Sequence, residues 1–136
     1  MKKGIIIIFD KNDLTLSESL AFKFSLSKKF KICLVNNGND PKVLNFLNKL
    51  KEASKCEVSI LNLRKEKELM LAVKAGVRFL TNKEDINLFV YTKLKSILDK
   101  NLMKKVLKIS EEDLENKIEE RVLLRKVYSL EELISS

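Results

Sequence analysis

The 136-residue chain contains no histidine and no tryptophan. Without histidine, neither a Ser-His nor a Cys-His nucleophile pair can be assembled. Cysteine is almost absent as well, so a zinc site would have to rest on Cys33, Cys56 and carboxylates, a poor donor set for that metal. Cys33 lies inside an apolar run and Cys56 directly precedes another. Both positions suit reduced core residues of a cytoplasmic protein better than a disulfide. With one proline and three glycines, the chain shows no linker, low-complexity tract or internal repeat. Long hydrophobic runs are missing too. The run Ile5 to Phe9 is broken by Asp10, which is too short for a signal-peptide core or a membrane span.

What remains is a basic, moderately apolar chain of a length that suits one domain, residues 1–136, with a sizeable core. The net charge of +8 is unevenly spread: residues 1–109 carry 23 Lys and Arg against 11 acids (+12), and residues 110–136 carry 4 against 8 (−4). A basic body attracts anions. Nucleic acid is disfavoured, because Lys93, Lys95, Lys100, Lys104, Lys105 and Lys108 follow helical spacing and no aromatic residues interleave to stack bases.

Periodicity divides the chain into alternating elements. Gly4 to Phe9 reads as a short strand, and Thr15-Leu-Ser-Glu18 has capping-box spacing ahead of a helix reaching about Lys28. Lys31 to Asn36 is a second strand of continuous apolar residues, as expected where both faces are covered. Asp40-Pro41 then sets a capping acid before a proline suited to a first helical turn, and Val43, Phe46, Leu47 and Leu50 form one apolar stripe. Glu57 to Leu63 is a third strand, and Leu69, Ala72, Val73, Gly76, Val77 and Leu80 give a helix. Gly76 fits a point of close helix-sheet packing. Ile86 to Tyr91 is a fourth strand, and Leu94, Ile97, Leu98, Leu102 and Val106 give a further helix. Beyond it, Ser110-Glu-Glu-Asp113 opens a charged helix carrying Leu114, Ile118 and Val122, although Val122 to Tyr128 fits a strand equally well, and Ser129-Leu-Glu-Glu132 caps a last short helix. The expected fold is α/β: a Rossmann-like three-layer sandwich on a mostly parallel sheet (residues 1–109), with an acidic, helical C-terminal extension (residues 110–136).

The carboxyl edge of such a sheet is where ligands bind, because helix N-termini gather there. Two turns mark it in this sequence, Phe9-Asp-Lys-Asn12 and Val35-Asn-Asn-Gly-Asn-Asp40. The second is also ordinary turn chemistry ending in a helix cap, so both readings stand.

These turns, in this order of elements, resemble the N-terminal half of family-2 glycosyltransferases, which have the GT-A nucleotide-diphospho-sugar transferase fold. Phe9-Asp-Lys-Asn12 looks like the Pro-x-x-Asn loop after that family's first strand, and Val35 to Asp40 like its Asp-Asn-Gly-Ser-x-Asp turn. Ala72 and Gly76 match the helix pattern Asn-x-Gly-x-x-x-Ala-x-Asn-x-Gly, and the likeness runs over about residues 4–95. It implies a sheet order near 3-2-1-4 and a site for UDP or a UDP-sugar on Phe9, Asp10, Asn36, Asn37 and Asp40, with Lys11 and Arg64 against the phosphates.

The departures from that pattern weigh against catalysis. The family's Asn-x-Gly falls on Glu66 and Glu68, acids that repel a pyrophosphate. The metal-binding Asp-x-Asp is replaced by Val90-Tyr-Thr-Lys93, with no acid between Asp85 and Asp99. The half that binds the acceptor in the family is not represented. The resemblance therefore implies a glycosyltransferase-like pseudoenzyme, with no catalytic or metal-binding residues and no cofactor, that binds nucleotide-sugar weakly or serves as an interaction module in glycan synthesis. The apolar, acidic segment 110–136 suggests a homodimer if Val122 to Tyr128 pairs with a twin, and a monomer if it folds back. An alternative resemblance, to response-regulator receiver domains, rests on Asp10, Asp13 and Ala75-Gly-Val-Arg-Phe-Leu-Thr-Asn-Lys83. The third strand ends in Asn62-Leu-Arg64, however, where a receiver needs its phosphoacceptor aspartate.

Overall fold

A computed structural model describes residues 3–13, 30–53, 57–82, 86, 88–93, 120–122 and 125–129. Six strands, β1 (Lys3–Phe9), β2 (Phe30–Asn37), β3 (Glu57–Leu63), β4 (Leu88–Lys93), β5 (Glu120–Val122) and β6 (Arg125–Ser129), form one sheet in the order β3-β2-β1-β4-β6-β5. The first five strands of that row are mutually parallel, and only the edge strand β5 runs antiparallel to its neighbour β6. The α/β sandwich and the 3-2-1-4 order expected from sequence are therefore present.

Two helices are described, α1 (Pro41–Ala53) and α2 (Leu69–Thr81), and they cover opposite faces of the sheet. Successive strand residues point to opposite sides. Ile6 and Ile8 of β1, with Cys33, Val35, Phe89 and Val127, pack beneath Ala72, Val73, Val77 and Leu80 of α2. On the other face, Phe9 meets Phe46 of α1 with ring centroids 6.0 Å apart, and Val43, Leu47 and Leu50 are buried. Cover on both sides explains the uninterrupted apolar runs: Ile5 to Phe9 and Ile32 to Val35 are all at most 3 % exposed. At Gly76 a Cβ would stand 2.9 Å from Cγ2 of Ile6, so the absent side chain is what lets α2 lie this close to β1.

The C-terminal extension, expected to be helical, contributes two strands among its described residues. Arg125–Ser129 joins the sheet beside β4, so of the two alternatives for Val122 to Tyr128 the strand is the one adopted. Val122 is the last residue of β5, and Ser129, expected to cap a helix, is the last residue of β6 and buried. The expected helices at 15–28 and 94–106, the last helix beyond Ser129, and Cys56 lie outside the described residues; so does the helix expected from Ser110 as far as residue 119, whereas its end at Val122 is strand β5 instead, and Cys33 is a buried cysteine. The fourth strand begins and ends two residues later than expected, because Thr92 is buried and Lys93 still pairs with Ile8, whereas Ile86 is a core residue of the lead-in. Among the described residues, no helix is long and apolar enough to cross a membrane.

Candidate functional site at the carboxyl edge of the sheet

Because β1 to β4 are parallel, the segments that follow them emerge at one edge. These are Asp10 to Asn12 after β1, Gly38 to Asp40 after β2, Arg64 to Glu68 after β3, and Lys93 at the end of β4. The chain builds outward from β1 to β2 and β3, then returns to place β4 on the other side of β1. The gap between β1 and β4 is therefore the topological switch point, where open α/β sheets form their ligand crevice.

The two asparagines that end β2 are both buried, Asn36 fully and Asn37 to within 7 %. Asn36 donates from Nδ2 to the backbone oxygen of Asp40 at 3.0 Å and to Oδ1 of Asn62 at 2.9 Å, and its Oδ1 accepts the Asp40 N–H at 3.3 Å. Asn37 donates from Nδ2 to the carbonyl of Lys67 and accepts the Lys67 N–H on Oδ1, each at 2.9 Å. As neighbours in a strand they face opposite sides. One amide ties β2 to the entry of α1 and to β3, and the other ties it to the loop that leads into α2. After them the chain turns through Gly38 at φ +116° and Asn39 at φ +54°, left-handed conformations natural to these two residue types.

Asp40 also does local work. Its Oδ1 accepts the N–H groups of Lys42 at 2.9 Å and Val43 at 3.2 Å, so it caps α1 as the Asp-Pro sequence predicts. After β1, Oδ1 of Asp10 accepts the Asn12 N–H at 2.8 Å, which closes the short 3₁₀ turn Lys11–Asp13. Among the described residues, every buried side-chain nitrogen or oxygen has a hydrogen-bond partner.

The residues read from sequence thus separate into two groups. Asn36, Asn37 and Asp40 are built into the β2–β3 side of the edge, and Phe9, 1 % exposed beneath α1, belongs to the core. Lys11 and Arg64 are exposed, Arg64 within a charged loop shared with Lys65, Glu66, Lys67 and Glu68. Glu68 stands at the N-cap position of α2 without a side-chain capping bond. Lys93 was not among the expected site residues. It is exposed and ends β4 in register with Ile8, one residue short of Phe9 and two short of Asp10. Its signal in the sequence was the missing Asp-x-Asp, but only the strand register puts it beside β1. Among the described residues, no three His, Cys, Asp or Glu side chains are grouped so as to hold a metal ion. No family model, curated protein or solved structure matches the chain.

Proposed function

We propose that this chain is a glycosyltransferase-like domain without metal-dependent transferase activity that binds a nucleotide-sugar weakly, with its phosphates at the switch point between β1 and β4. The observation that carries this reading is the placement of two exposed lysines at this edge: Lys11 in the turn that follows β1, and Lys93 as the last residue of the adjacent parallel strand β4. Ammonium groups serve as point charges for phosphate without demanding a fixed fork geometry. The place in the UDP site that the resemblance gives Asn36 and Asn37 is not part of the proposal, because their amides are spent on Asp40, Asn62 and Lys67. Exposed Glu66 and Glu68 oppose any phosphate placed toward α2, which keeps the affinity low.

Titration calorimetry and amide chemical shifts with UDP and UDP-sugars test this. Millimolar binding with shifts at Lys11 and Lys93 is expected, and it should be weakened by Lys11→Ala and by Lys93→Ala. No heat and no shifts up to millimolar ligand would leave an interaction module alone. Turnover of a UDP-sugar with Mn²⁺ that a chelator abolishes would overturn the pseudoenzyme reading.

The receiver alternative is supported less. The doubly wound order of receivers is 2-1-3-4-5, whereas β1 here lies between β2 and β4. Assembly belongs to the same proposal: β6 is flanked by β4 and β5 of its own sheet, so a twin that pairs with the C-terminal segment would add at the outer edge of β5. Light scattering of the intact chain decides between monomer and dimer.

A further inference from the structure

Asn37 is followed by Gly38, and glycine has no side chain to screen its backbone nitrogen from the preceding amide. The fold holds this pair apart in two ways. Asn37 is the last residue of β2, so its backbone is extended, and an extended backbone turns the Gly38 nitrogen away from the Asn37 side chain. Both polar atoms of its amide are also engaged by Lys67, thirty residues along the chain, at 2.9 Å each. The loop that carries Lys67 is exposed from Arg64 to Glu68, which makes it a candidate for local opening.

We propose that Asn37–Gly38 is a deamidation site gated by the Asn37–Lys67 clamp, and that its conversion permanently unlocks the loop between β3 and α2. When the clamp opens, the Gly38 nitrogen attacks Cγ of Asn37 and loses its proton. The bond from Cγ to Nδ2 breaks and ammonia leaves, giving a cyclic imide. Water then adds to either carbonyl of the imide, opening it to aspartate or to the iso-aspartyl isomer. The net change is water consumed and ammonia released, with no oxidant or enzyme required. Neither product restores the clamp. Aspartate has no Nδ2 donor for the Lys67 carbonyl and sets a carboxylate against it in a nearly buried position. The iso-aspartyl form adds a backbone methylene where Asn37 pairs with Leu63.

The full chain is incubated at neutral pH, with and without concentrated urea, and conversion at each asparagine is followed by peptide mass mapping. With two hydrogen bonds to break, folded Asn37 should convert roughly tenfold or more slowly than in urea. Lys67→Pro, which removes the N–H donated to Asn37, should speed conversion in the folded chain and leave the rate in urea unchanged. Converted protein should lose amide-exchange protection at 64–68 while the strands keep theirs. Equal rates with and without urea, or no acceleration in Lys67→Pro, would overturn the proposal. Should that variant fail to fold, urea below the unfolding midpoint poses the same question to the unmodified chain. Conversion that rises ahead of global unfolding supports the local gate, and conversion that tracks global unfolding overturns it.

Discussion

On the β2–β3 side of the carboxyl edge, Asn36 and Asn37 are buried and bonded to Asp40, Asn62 and Lys67, whereas on the β1–β4 side Lys11, in the turn after β1, and Lys93, at the end of β4, stand exposed. Both sides are polar in sequence, but polarity serves different ends on each. Buried amides must be satisfied by fixed partners, so they act as cross-links between loops. Exposed ammonium groups lose little by remaining hydrated and are available to an incoming anion. Asn36 and Asn37 are thus accounted for by the fold itself.

The sharpest way to break this contrast is Asn36→Ala. The substitution removes three hydrogen bonds and leaves Asp40 and Asn62 facing an apolar methyl, so a loss of about 2–3 kcal/mol is expected in urea unfolding. A variant as stable as the parent would show that water replaces the amide and that the β2–β3 side is not cross-linked as described. Asp40→Ala should cost less, about 1 kcal/mol, because it removes the α1 cap but leaves the contacts made by its backbone to Asn36. Unfolding in urea with an unchanged m-value checks this, and a loss as large as that of Asn36→Ala would mean that the cap and the clamp fail together.

How much of this was legible follows from the range of each interaction. The strands could be read because helices on both faces leave apolar runs such as Ile5 to Phe9, and the Asp40 cap because its partners are two and three residues away. Gly76 was readable as a packing point from its place on an apolar stripe, although not the residue, Ile6, that it admits. Although the Asn36–Asp40 bonds span only four residues, the long-range ties of Asn36 and Asn37 were not readable, since Asn62 and Lys67 lie 26 and 30 residues away and no local pattern announces them. For the same reason β2 was expected to stop at Asn36, though it continues to Asn37. The alternation of Phe9 with Ile5 and Ile7 points its ring toward the α1 face, where Phe46 receives it. The pairing of Arg125–Ser129 beside β4 joins distant segments, so local periodicity left helix and strand open.

The smallest expected effect on stability falls on the other side of the edge and sharpens the comparison most. Lys11→Ala and Lys93→Ala remove exposed charges, so each should shift unfolding by no more than about 0.5 kcal/mol. Their double substitution should be additive in stability yet abolish the millimolar binding of UDP, with the ionic-strength dependence of that binding flattened in each single variant. Asn37→Leu is the matched control. It destroys the clamp to Lys67, so it should cost stability while leaving UDP binding at Lys11 and Lys93 in place. If the lysine variants lost stability and kept binding, or if the asparagine variant lost binding with its sheet intact, the division of labour between the two sides would be reversed and the ligand would belong to the β2–β3 turn.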